Sequence, residues 1–431
     1  MKRINWFGKR LGEIGDFSNG INFTGDQKGD SGGRTIKLIN VKDLYADSPY
    51  IKLDDLDKIT LKATSNKVSR YLVESGDLFF ARSSVKRDGV GALSMARKKD
   101  DMSLHCGFVI RFRIRDQKEV NPLFLTYILR SSFYRQTIIG LSSGATITNI
   151  SQESLRHLQV KIPLVSVQNK VTAVLSAYDE LIENNDRRIA LLEKMAEEIY
   201  REWFIRLRFP GHEQVNFHKG IPEDWEIKRL EEFCERVTDG THDTPKPTDE
   251  GYFLVTGKNL KNGIVDFEGA YKISKQDHFN ISKRSGLNPG DIVFSNIGTL
   301  GSMVMVTDDI EYSVKNVLIF KPCSKAQSVF LYYMLKEKYV LEHLLSHCSG
   351  ASQQFISLTV ARNFKVLDPG KSLIENFGKY ALPLHQQRMS LVRSNSKLKQ
   401  TRDRLLTRLI SGKLSVEDLD IHFPPSMTSD S

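Results

Sequence analysis

The chain repeats itself once, and this duplication limits its architecture more than any other feature of the sequence. Six short matches occur in the same order in both halves, at offsets between 206 and 220 residues. The matched segments are Trp6–Leu11 with Trp225–Leu230, Ser75–Phe80 with Pro289–Phe294, Phe124–Leu129 with Phe330–Leu335, Ser143–Thr146 with Ser349–Ser352, Ile150–Ser151 with Ile356–Ser357, and Ile162–Leu164 with Leu382–Leu384. A period this long predicts two duplicated domains rather than an array of small repeats.

Each half has the pattern of a β-rich globule followed by helices. Short apolar runs separated by Gly, Asn and Asp indicate strands. Gly76-Asp77 and Gly290-Asp291 each precede such a run, as expected for a turn that leads into a buried strand. A length of 431 residues, with 40% hydrophobic and 26% charged residues, fits a folded protein of two or three domains.

A long helix is predicted to close each half, and the first has the clearer periodicity. Apolar residues from Val171 to Trp203 recur at alternating steps of four and three, with Asn185 as the polar member of the seam. Such heptads predict a coiled coil, and a single Asn in the seam can set its register. The second helix has a poorer seam, so the first helix is its expected antiparallel partner. The alternative is two amphipathic helices that each pack on their own domain.

The predicted fold is therefore α+β, with two tandem β-rich globules joined by two long helices that pair as an antiparallel coiled coil. The predicted globules are residues 1–163 and 209–383. The predicted helices are residues 164–208 and 384–415, and residues 416–431 are a predicted flexible tail.

Basic residues are concentrated in the second predicted helix. The chain has 62 Lys and Arg against 52 Asp and Glu, a net charge of +10. Residues 384–414 contain eight basic residues and one acidic residue, whereas residues 164–208 contain seven basic and eight acidic residues. A basic balance is typical of proteins that bind polyanions, although a solvated helix face has the same composition.

No catalytic motif with diagnostic spacing occurs in the sequence. Gly251 and the run Gly257-Lys258-Asn259 are separated by five residues, where a phosphate-binding loop has four. Asn121-Pro122-Leu123-Phe124 lacks the second Pro of the DNA amino-methyltransferase loop and is better explained as a helix start. His343 and His347 offer half of a metal site without an evident second half. The sequence therefore favours a binding protein over an enzyme and predicts no metal site.

Cysteine usage and hydropathy indicate the compartment. The four cysteines lie far apart and form no C-x-x-C pair, which fits a reducing environment. No apolar run reaches the roughly 18 residues of a membrane span, and the first residues have no signal-peptide pattern. We therefore expect a cytoplasmic protein without membrane association.

The order of these elements resembles the DNA-specificity subunit of type I restriction–modification enzymes over nearly the whole chain. The resemblance rests on the duplicated Gly-Asp strands, the loops Ser143–Thr146 and Ser349–Ser352, the starts of the long helices at Ile162–Leu164 and Leu382–Leu384, Gln168 and Gln387 near those starts, and the helix end Leu409–Leu414. The second half departs slightly, because Ala351-Ser352 stands where Ala-Thr is commoner in the family.

The resemblance implies two target-recognition domains, each of which reads one half of a bipartite, asymmetric site in double-stranded DNA. The helices would set the spacer and dock methyltransferase subunits. Those subunits bind S-adenosylmethionine, and motor–nuclease subunits use ATP and Mg²⁺, so the chain itself would be non-catalytic and bind no cofactor. The alternatives are a specificity module of a methylation-only or other defence system, a coiled-coil interaction protein, and a fused methyltransferase–nuclease.

The residues expected to contact DNA are polar and basic side chains in loops. Arg and Lys suit guanine edges and phosphates, and Asn and Gln suit adenine. The candidates are Arg82, Ser83, Ser84, Lys86, Arg87, Thr146 and Asn149 in the first half, and Lys258, Asn259, Asn296, Thr299, Gln353 and Gln354 in the second. For each of them, an ordinary surface loop is the alternative explanation.

Overall fold

The chain divides into two compact units: residues 1–185 with 394–431 (unit 1), and residues 186–393 (unit 2). A computed structural model describes residues 6–22, 34–61, 69–100, 102–144, 146–307, 310–348 and 354–423. This division differs from the predicted boundaries at 163/164 and 383/384, because each long helix contributes residues to both units.

Unit 1 consists of short strands followed by helices. The strands are β1 (Phe7–Arg10), β2 (Gly15–Asn19), β3 (Arg34–Ile39), β4 (Asp57–Leu61), β5 (Leu78–Ala81), β6 (Ser83–Ser84), β7 (Leu93–Met95), β8 (Ser103–His105), β9 (Val109–Ile114), β10 (Thr148–Asn149) and β11 (Gln159–Ile162). The helices are α1 (Leu11–Ile14), α2 (Pro122–Arg130), α3 (Ser132–Gly140), α4 (Gln152–His157) and the first part of α5 (Val165–Tyr200). After Tyr200, α5 continues as a π-helical turn at Arg201–Ile205.

Unit 2 has the same kinds of elements in nearly the same order. Its strands are β12 (Phe217–His218), β13 (Ile221–Pro222), β14 (Glu226–Arg229), β15 (Arg236–Asp239), β16 (Tyr252–Val255), β17 (Leu260–Lys261), β18 (Ile264–Val265), β19 (Tyr271–Ile273), β20 (Ile292–Phe294), β21 (Met303–Met305), β22 (Tyr312–Val314), β23 (Leu318–Lys321) and β24 (Lys365–Asp368). Its helices are α6 (Leu230–Phe233), α7 (Lys275–Ser285), α8 (Lys325–Lys336), α9 (Lys338–Ser346), α10 (Leu358–Asn363) and the first part of α11 (Lys371–Ile410).

Strand pairing confirms the duplication. In unit 1 the order is β2-β9-β5-β7 in an antiparallel sheet and β4-β3-β8 in a second sheet, with β3 and β8 parallel. In unit 2 the corresponding orders are β15-β23-β20-β21 and β19-β16-β22, with β16 and β22 parallel. The pair β1–β11 likewise corresponds to β14–β24. The shared strand orders, with the same single parallel pairing in each three-stranded sheet, agree with the repeat in the sequence.

The Gly-Asp turns have the predicted structure. Gly76 and Gly290 have φ angles of +82° and +96°, a region that favours glycine. The buried Asp77 carboxylate accepts two hydrogen bonds from Arg113, and Asp291 pairs with Lys321 on the equivalent strand. Each Asp therefore closes its turn and ties it to the central sheet at the start of β5 or β20.

The two long helices run antiparallel where they meet within each unit. In unit 1, α5 packs on the C-terminal part of α11: Asp179 contacts Arg402, and Asn185 contacts Asn395. In unit 2, the Trp203 ring packs against Phe377 at 6.0 Å between ring centroids. Residue numbers rise along one helix as they fall along the other in unit 1, which is the predicted antiparallel pairing.

The second long helix starts earlier than predicted. It begins at Lys371 rather than at residue 384, and Pro383 lies inside it. The strand that precedes it, β24, ends at Asp368, directly before Pro369. Because β11 and β24 are equivalent strands, Pro369 is the true counterpart of Pro163. The match of Ile162–Leu164 with Leu382–Leu384 was therefore wrong, as was the position of Gln387 near the helix start.

The start of the predicted tail is packed rather than loose. Val416 is buried in the core of unit 1. The Lys170 ammonium donates hydrogen bonds to the carbonyl oxygens of Glu417 and Leu419, at 2.6 and 2.8 Å. The prediction of a flexible tail from residue 416 was thus wrong for these residues, and residues 424–431 lie outside the described part of the chain.

Candidate functional site

In unit 1, two of the loops singled out in the sequence meet in a short antiparallel ribbon. Strand β6 follows β5 after one residue and pairs with β10, with Ser83 opposite Asn149 and Ser84 opposite Thr148. The Ser83 hydroxyl donates to Asn149 Oδ1 at 2.5 Å. Main-chain hydrogen bonds between Ser143 and Asn149, at 2.7 and 2.9 Å, link the two ends of the second loop.

The loop between Ser143 and Asn149 needs glycine for steric reasons. Gly144 has a φ angle of +116°, and a Cβ atom there would lie 2.1 Å from the carbonyl oxygen of Ile147. This requirement explains the glycine in the Ser143-Gly144-Ala145 pattern of the first half. The equivalent Ser349–Gln353 segment lies outside the described residues, and with it the predicted contact residue Gln353.

The ribbon has one buried face and one exposed face. Ser84 and Thr148 are buried, whereas Asn149 is exposed and Ser83 is half-buried. The Ser84 hydroxyl oxygen accepts hydrogen bonds from Tyr45 Oη and from the Lys86 amide, both at 3.2 Å. Ser84 therefore holds the loop together, and the prediction that it contacts DNA conflicts with its burial.

The other predicted residues of unit 1 stay at the surface. Arg82, Lys86, Arg87 and Thr146 are exposed, together with Asn149. The Arg82 guanidinium lies 3.4 Å from the Gly107 carbonyl oxygen, which accepts its weak hydrogen bond. The two predicted loops of the first half thus form one surface with three exposed cationic side chains.

A third loop, which sequence reasoning missed, joins this surface. Tyr45 contacts Ser84, and Lys42 lies three residues earlier in the turn that follows β3. A hydrogen bond from Lys42 to Asp57, at 2.7 Å, raises the pKa of the Lys42 ammonium. A signal was present in the sequence, because Leu38–Leu44 (LINVKDL) aligns without gaps with Leu254–Leu260 (LVTGKNL) and places Lys42 against Lys258.

Phe108 completes the surface that we call corner 1. Its carbonyl oxygen accepts a hydrogen bond from the Arg82 amide at 2.8 Å, so it lies beside the ribbon. Corner 1 is defined as the exposed residues of four segments: Lys42–Tyr45, Arg82–Arg87, Phe108 and Thr146–Asn149.

Unit 2 has an equivalent surface, corner 2. Ile297 pairs with Phe355 in an antiparallel bridge, at the positions that Ser83 and Asn149 occupy in unit 1. The Asn296 amide nitrogen Nδ2 donates to the Ile356 carbonyl oxygen at 2.9 Å, which fastens the two loops together. Corner 2 is defined as the exposed and half-buried residues among Lys258–Lys261, Asn296–Thr299, Asn316 and Gln354–Phe355.

The third loop of corner 2 approaches the others closely. A Cβ atom on Gly257 would lie 2.1 Å from Ser295 Oγ and 3.2 Å from Thr299 Oγ1. Lys258, the next residue, is exposed, as are Thr299 and Gln354. The structure thus brings the predicted residues Lys258, Asn296, Thr299 and Gln354 into neighbouring loops.

Asn259 does not belong to the exposed set. It is 2% exposed, and its Oδ1 accepts hydrogen bonds from the amide and hydroxyl of Thr256, at 3.0 and 2.9 Å. Its Nδ2 donates to the Asp266 carbonyl oxygen at 3.2 Å. Asn259 therefore shapes the turn that presents Lys258, and the prediction that it contacts DNA conflicts with its burial.

The predicted register residue Asn185 lies in the interface between α5 and α11. Its Nδ2 donates to Asn395 Oδ1 at 2.8 Å, and the side chains of both are buried. Nearby, the Asp179 carboxylate contacts both Arg402 and the Tyr127 hydroxyl. Burial alone would lower the pKa of Arg402, but the attraction of Asp179 and Asp403 and the hydrogen bonds to them together outweigh burial and raise that pKa above its ordinary value.

Part of the basic charge of α11 is neutralised inside the units. Lys399 pairs with Asp47 at 2.7 Å in unit 1, in addition to the Arg402–Asp179 pair. In unit 2, Arg388 lies 3.5 Å from Glu193. The basic run of this helix is therefore partly a packing feature. Within the described part of the chain, every helix is too short or too polar to cross a membrane.

Two copies of one β-rich unit, each with loops that converge on an exposed surface, define a duplicated binding protein. A family model, the type I restriction modification DNA specificity domain, matches residues 4–194 and 222–370. These segments cover most of the chain and most of both units, and the chain therefore belongs to this family.

Individual relatives agree with the family match. The chain is 25% identical to the type I restriction enzyme MjaIX specificity subunit of Methanocaldococcus jannaschii, over 96% of this chain and 95% of the relative. It is 19% identical to the HindI specificity subunit of Haemophilus influenzae, over 68% of this chain and 77% of that protein. Among solved structures, the type I restriction–modification S subunit from M. genitalium has a similar fold, with a TM-score of 0.59, 18% identity, and coverage of 95% of this chain and 97% of that chain.

Proposed function

We propose that this chain is the sequence-specific DNA-binding specificity subunit of a type I restriction–modification complex, in which each unit reads one half of a bipartite, asymmetric site. Corner 1 and corner 2 are the proposed reading surfaces. The observation that carries this proposal is that the same arrangement of four segments occurs in both units with different exposed side chains. Two related surfaces of different chemistry suit two different half-sites.

The chemistry of corner 1 fits double-stranded DNA. Arg82, Lys86 and Arg87 can bind phosphates or the O6 and N7 edge of guanine, and Asn149 can pair with adenine. A two-stranded ribbon is also narrow enough to enter the major groove. Corner 2 offers Lys258 to phosphates and Gln354 to bases, so it combines the same two kinds of contact with fewer cations.

The catalytic work belongs to partner subunits in this proposal. Methyltransferase subunits would dock on the paired helices and bind S-adenosylmethionine, while motor–nuclease subunits would bind ATP and Mg²⁺. The chain would bind no cofactor or metal of its own and would act in the cytoplasm. The relatives are named as specificity subunits of restriction enzymes, which supports the division of labour.

The decisive experiment is base-resolution mapping of adenine methylation in a strain that expresses this chain together with its methyltransferase subunits. We expect a two-part, gapped motif that disappears when the chain is deleted. Arg82→Ala or Arg87→Ala should abolish or relax recognition in one half of the motif only. The matched control is Lys9→Ala on β1, which should leave the motif intact. Complete methylation of the original motif in both arginine variants would contradict the role of corner 1.

The spacer role of the helices has a separate test. Four residues inserted beside Asn185, with four beside Asn395 to keep the helices in step, lengthen each by about 6 Å. Since base pairs are stacked about 3.4 Å apart, the gap in the motif should grow by one or two base pairs. Methylation of the original spacing by the longer protein would show that the helices do not measure the gap.

A further inference from the structure

The exposed face of the ribbon in corner 1 is not uniformly polar. Val85 directly follows β6 and Ile147 directly precedes β10, so both residues lie at the same end of the ribbon, next to the Ser84–Thr148 pair. Val85 is 82% exposed and Ile147 is 50% exposed. The tip of the ribbon therefore carries an apolar pair beside a polar pair.

Two aromatic side chains extend this apolar character. Phe108, which is 59% exposed, lies beside Arg82, and Tyr45, which is 49% exposed, is held by its hydrogen bond to Ser84. The side chains of Arg82, Lys86 and Arg87 in the same corner are also exposed. Apolar side chains among cations and amides are the composition expected of a surface that contacts base edges, including the C5 methyl group of thymine.

Corner 2 has the opposite arrangement. Thr299 stands at the position of Val85, and Ile297 and Phe355 stand at the positions of Ser83 and Asn149. The Gly20 amide donates to the Val109 carbonyl oxygen in unit 1, and the Gly240 amide donates to the Val317 carbonyl oxygen in unit 2. Val109 and Val317 are therefore equivalent, and so are the residues directly before them, Phe108 and Asn316. Lys261 corresponds to Tyr45 in the ungapped alignment of the third loops. The positions of Val85, Phe108 and Tyr45, which are apolar or aromatic in corner 1, are polar in corner 2. The bridged pair shows the reverse, because it is polar in corner 1 (Ser83 and Asn149) and apolar in corner 2 (Ile297 and Phe355).

We propose that corner 1 inserts the β6–β10 ribbon into the major groove and that Val85 and Ile147 read the C5 methyl groups of thymines in its half-site. This inference rests on the proposed function and adds the kind of base that unit 1 recognises. Cations alone would attract any DNA, and a polar pair alone can read only hydrogen-bonding edges. The apolar pair supplies a contact to the methyl group itself, which distinguishes thymine from uracil, a base with the same pairing edge and no methyl group.

The test replaces thymine by deoxyuridine, which removes only the methyl group. The probe is a duplex that carries the mapped two-part motif, with thymines replaced in one half-site at a time. The protein is the full chain purified with its methyltransferase subunits. In the half-site affected by Arg82→Ala, we expect Kd to rise about three- to fivefold for each contacted methyl group, the effect of one buried methylene-sized group.

Variants separate the apolar contact from other roles of the loop. Val85→Thr keeps the shape of the side chain, so the ratio of Kd values for deoxyuridine and thymine duplexes should fall towards one. The matched control, Phe133→Ser, removes another exposed apolar group, on α3 and outside corner 1, and should leave the ratio unchanged.

Equal binding of the thymine and deoxyuridine duplexes by the wild-type complex would overturn the inference. A half-site for unit 1 that contains no thymine would do the same. So would a Val85→Thr variant that loses its methyltransferase subunits but keeps the wild-type ratio of Kd values for the two duplexes. The last result would identify the apolar pair as a protein interface. A complex that binds no duplex specifically would instead refute the proposed function, which is a distinguishable failure.

Discussion

The buried ion pair between Asp179 and Arg402 offers a quantitative test of how α5 and α11 hold together. The Asp179 side chain is 6% exposed and the Arg402 side chain is 13% exposed, and the carboxylate also accepts a hydrogen bond from Tyr127. Removal of one partner leaves the other charge buried. We therefore expect Arg402→Met to lower the free energy of unfolding of unit 1 by about 3–5 kcal/mol.

The double variant should behave differently. With Asp179→Leu and Arg402→Met together, in a Tyr127→Phe background that removes the hydroxyl otherwise left without its acceptor, no buried charge is left over, and apolar groups of similar size fill the space. Such replacements are often neutral or stabilising, so the double variant should regain most of the stability lost by either single variant. The coupling energy from the four proteins should then be about 3 kcal/mol or more, which is typical only of strongly interacting neighbours.

The assay is urea unfolding followed by tryptophan fluorescence. The chain has three Trp residues, of which Trp203 and Trp225 lie in unit 2, so replacing both with Phe leaves Trp6 as a reporter packed against the core of unit 1. The exposed pair Lys9–Glu119, at 3.0 Å in the same unit, is the control cycle and should couple by less than about 1 kcal/mol. A coupling for the buried pair as small as that of the control would refute the reasoning.

Three further predictions concern stability and recognition. Asn185→Leu removes a buried donor and should lower the free energy of unfolding by about 1–3 kcal/mol in urea. Most of this loss should be recovered when Asn395, its partner on α11, is also changed to Leu. An unchanged urea midpoint for the single variant would contradict this prediction. Burial lowers the pKa of both His105 and His385 from 6.5 to about 4, so folding favours their neutral forms. The contribution of the two neutral histidines to the free energy of unfolding is complete above about pH 6.5 and is lost as the pH falls towards 4. At pH 5 the loss is about 2 kcal/mol for each histidine. Variants with Gln at these positions should therefore lose less stability than the wild type between pH 7.5 and pH 5 in urea unfolding. Gly257→Ala places a Cβ 2.1 Å from a buried serine hydroxyl and should relax the half-site of unit 2 in methylation maps, whereas Gly8→Ala, which meets nothing within 4 Å, should not.

The duplication and the helix pairing could be predicted because they rest on long-range order in the sequence. One match failed for a local reason. The triplet at Leu382–Leu384 looks like Ile162–Leu164, and proline usually ends a helix. Here Phe377, Ala381 and His385 are buried on both sides of Pro383 and hold the helix in place. An offset of 206 residues, which the neighbouring matches share, would have pointed to Pro369.

The candidate site was only partly predictable. Loops next to the Gly-Asp strands could be chosen by position, and the structure brings them together. Residue type alone could not distinguish Ser84 and Asn259 from their exposed neighbours, because both are polar groups whose hydrogen bonds are made within the loops. Tyr45 escaped detection since it lies about 40 residues before the ribbon, and proximity of that kind depends on the sheet topology.

The composition of unit 1 has a consequence for the order in which the protein matures. Its core includes Leu406, Leu409 and Val416, whereas unit 2 is one continuous stretch from residue 186 to residue 393. During synthesis the ribosome therefore releases every residue of unit 2 before the last residues of unit 1. The half that emerges first is the half that is completed last, and a chain that stops before Leu406 would retain unit 2 but lack the packing that finishes unit 1.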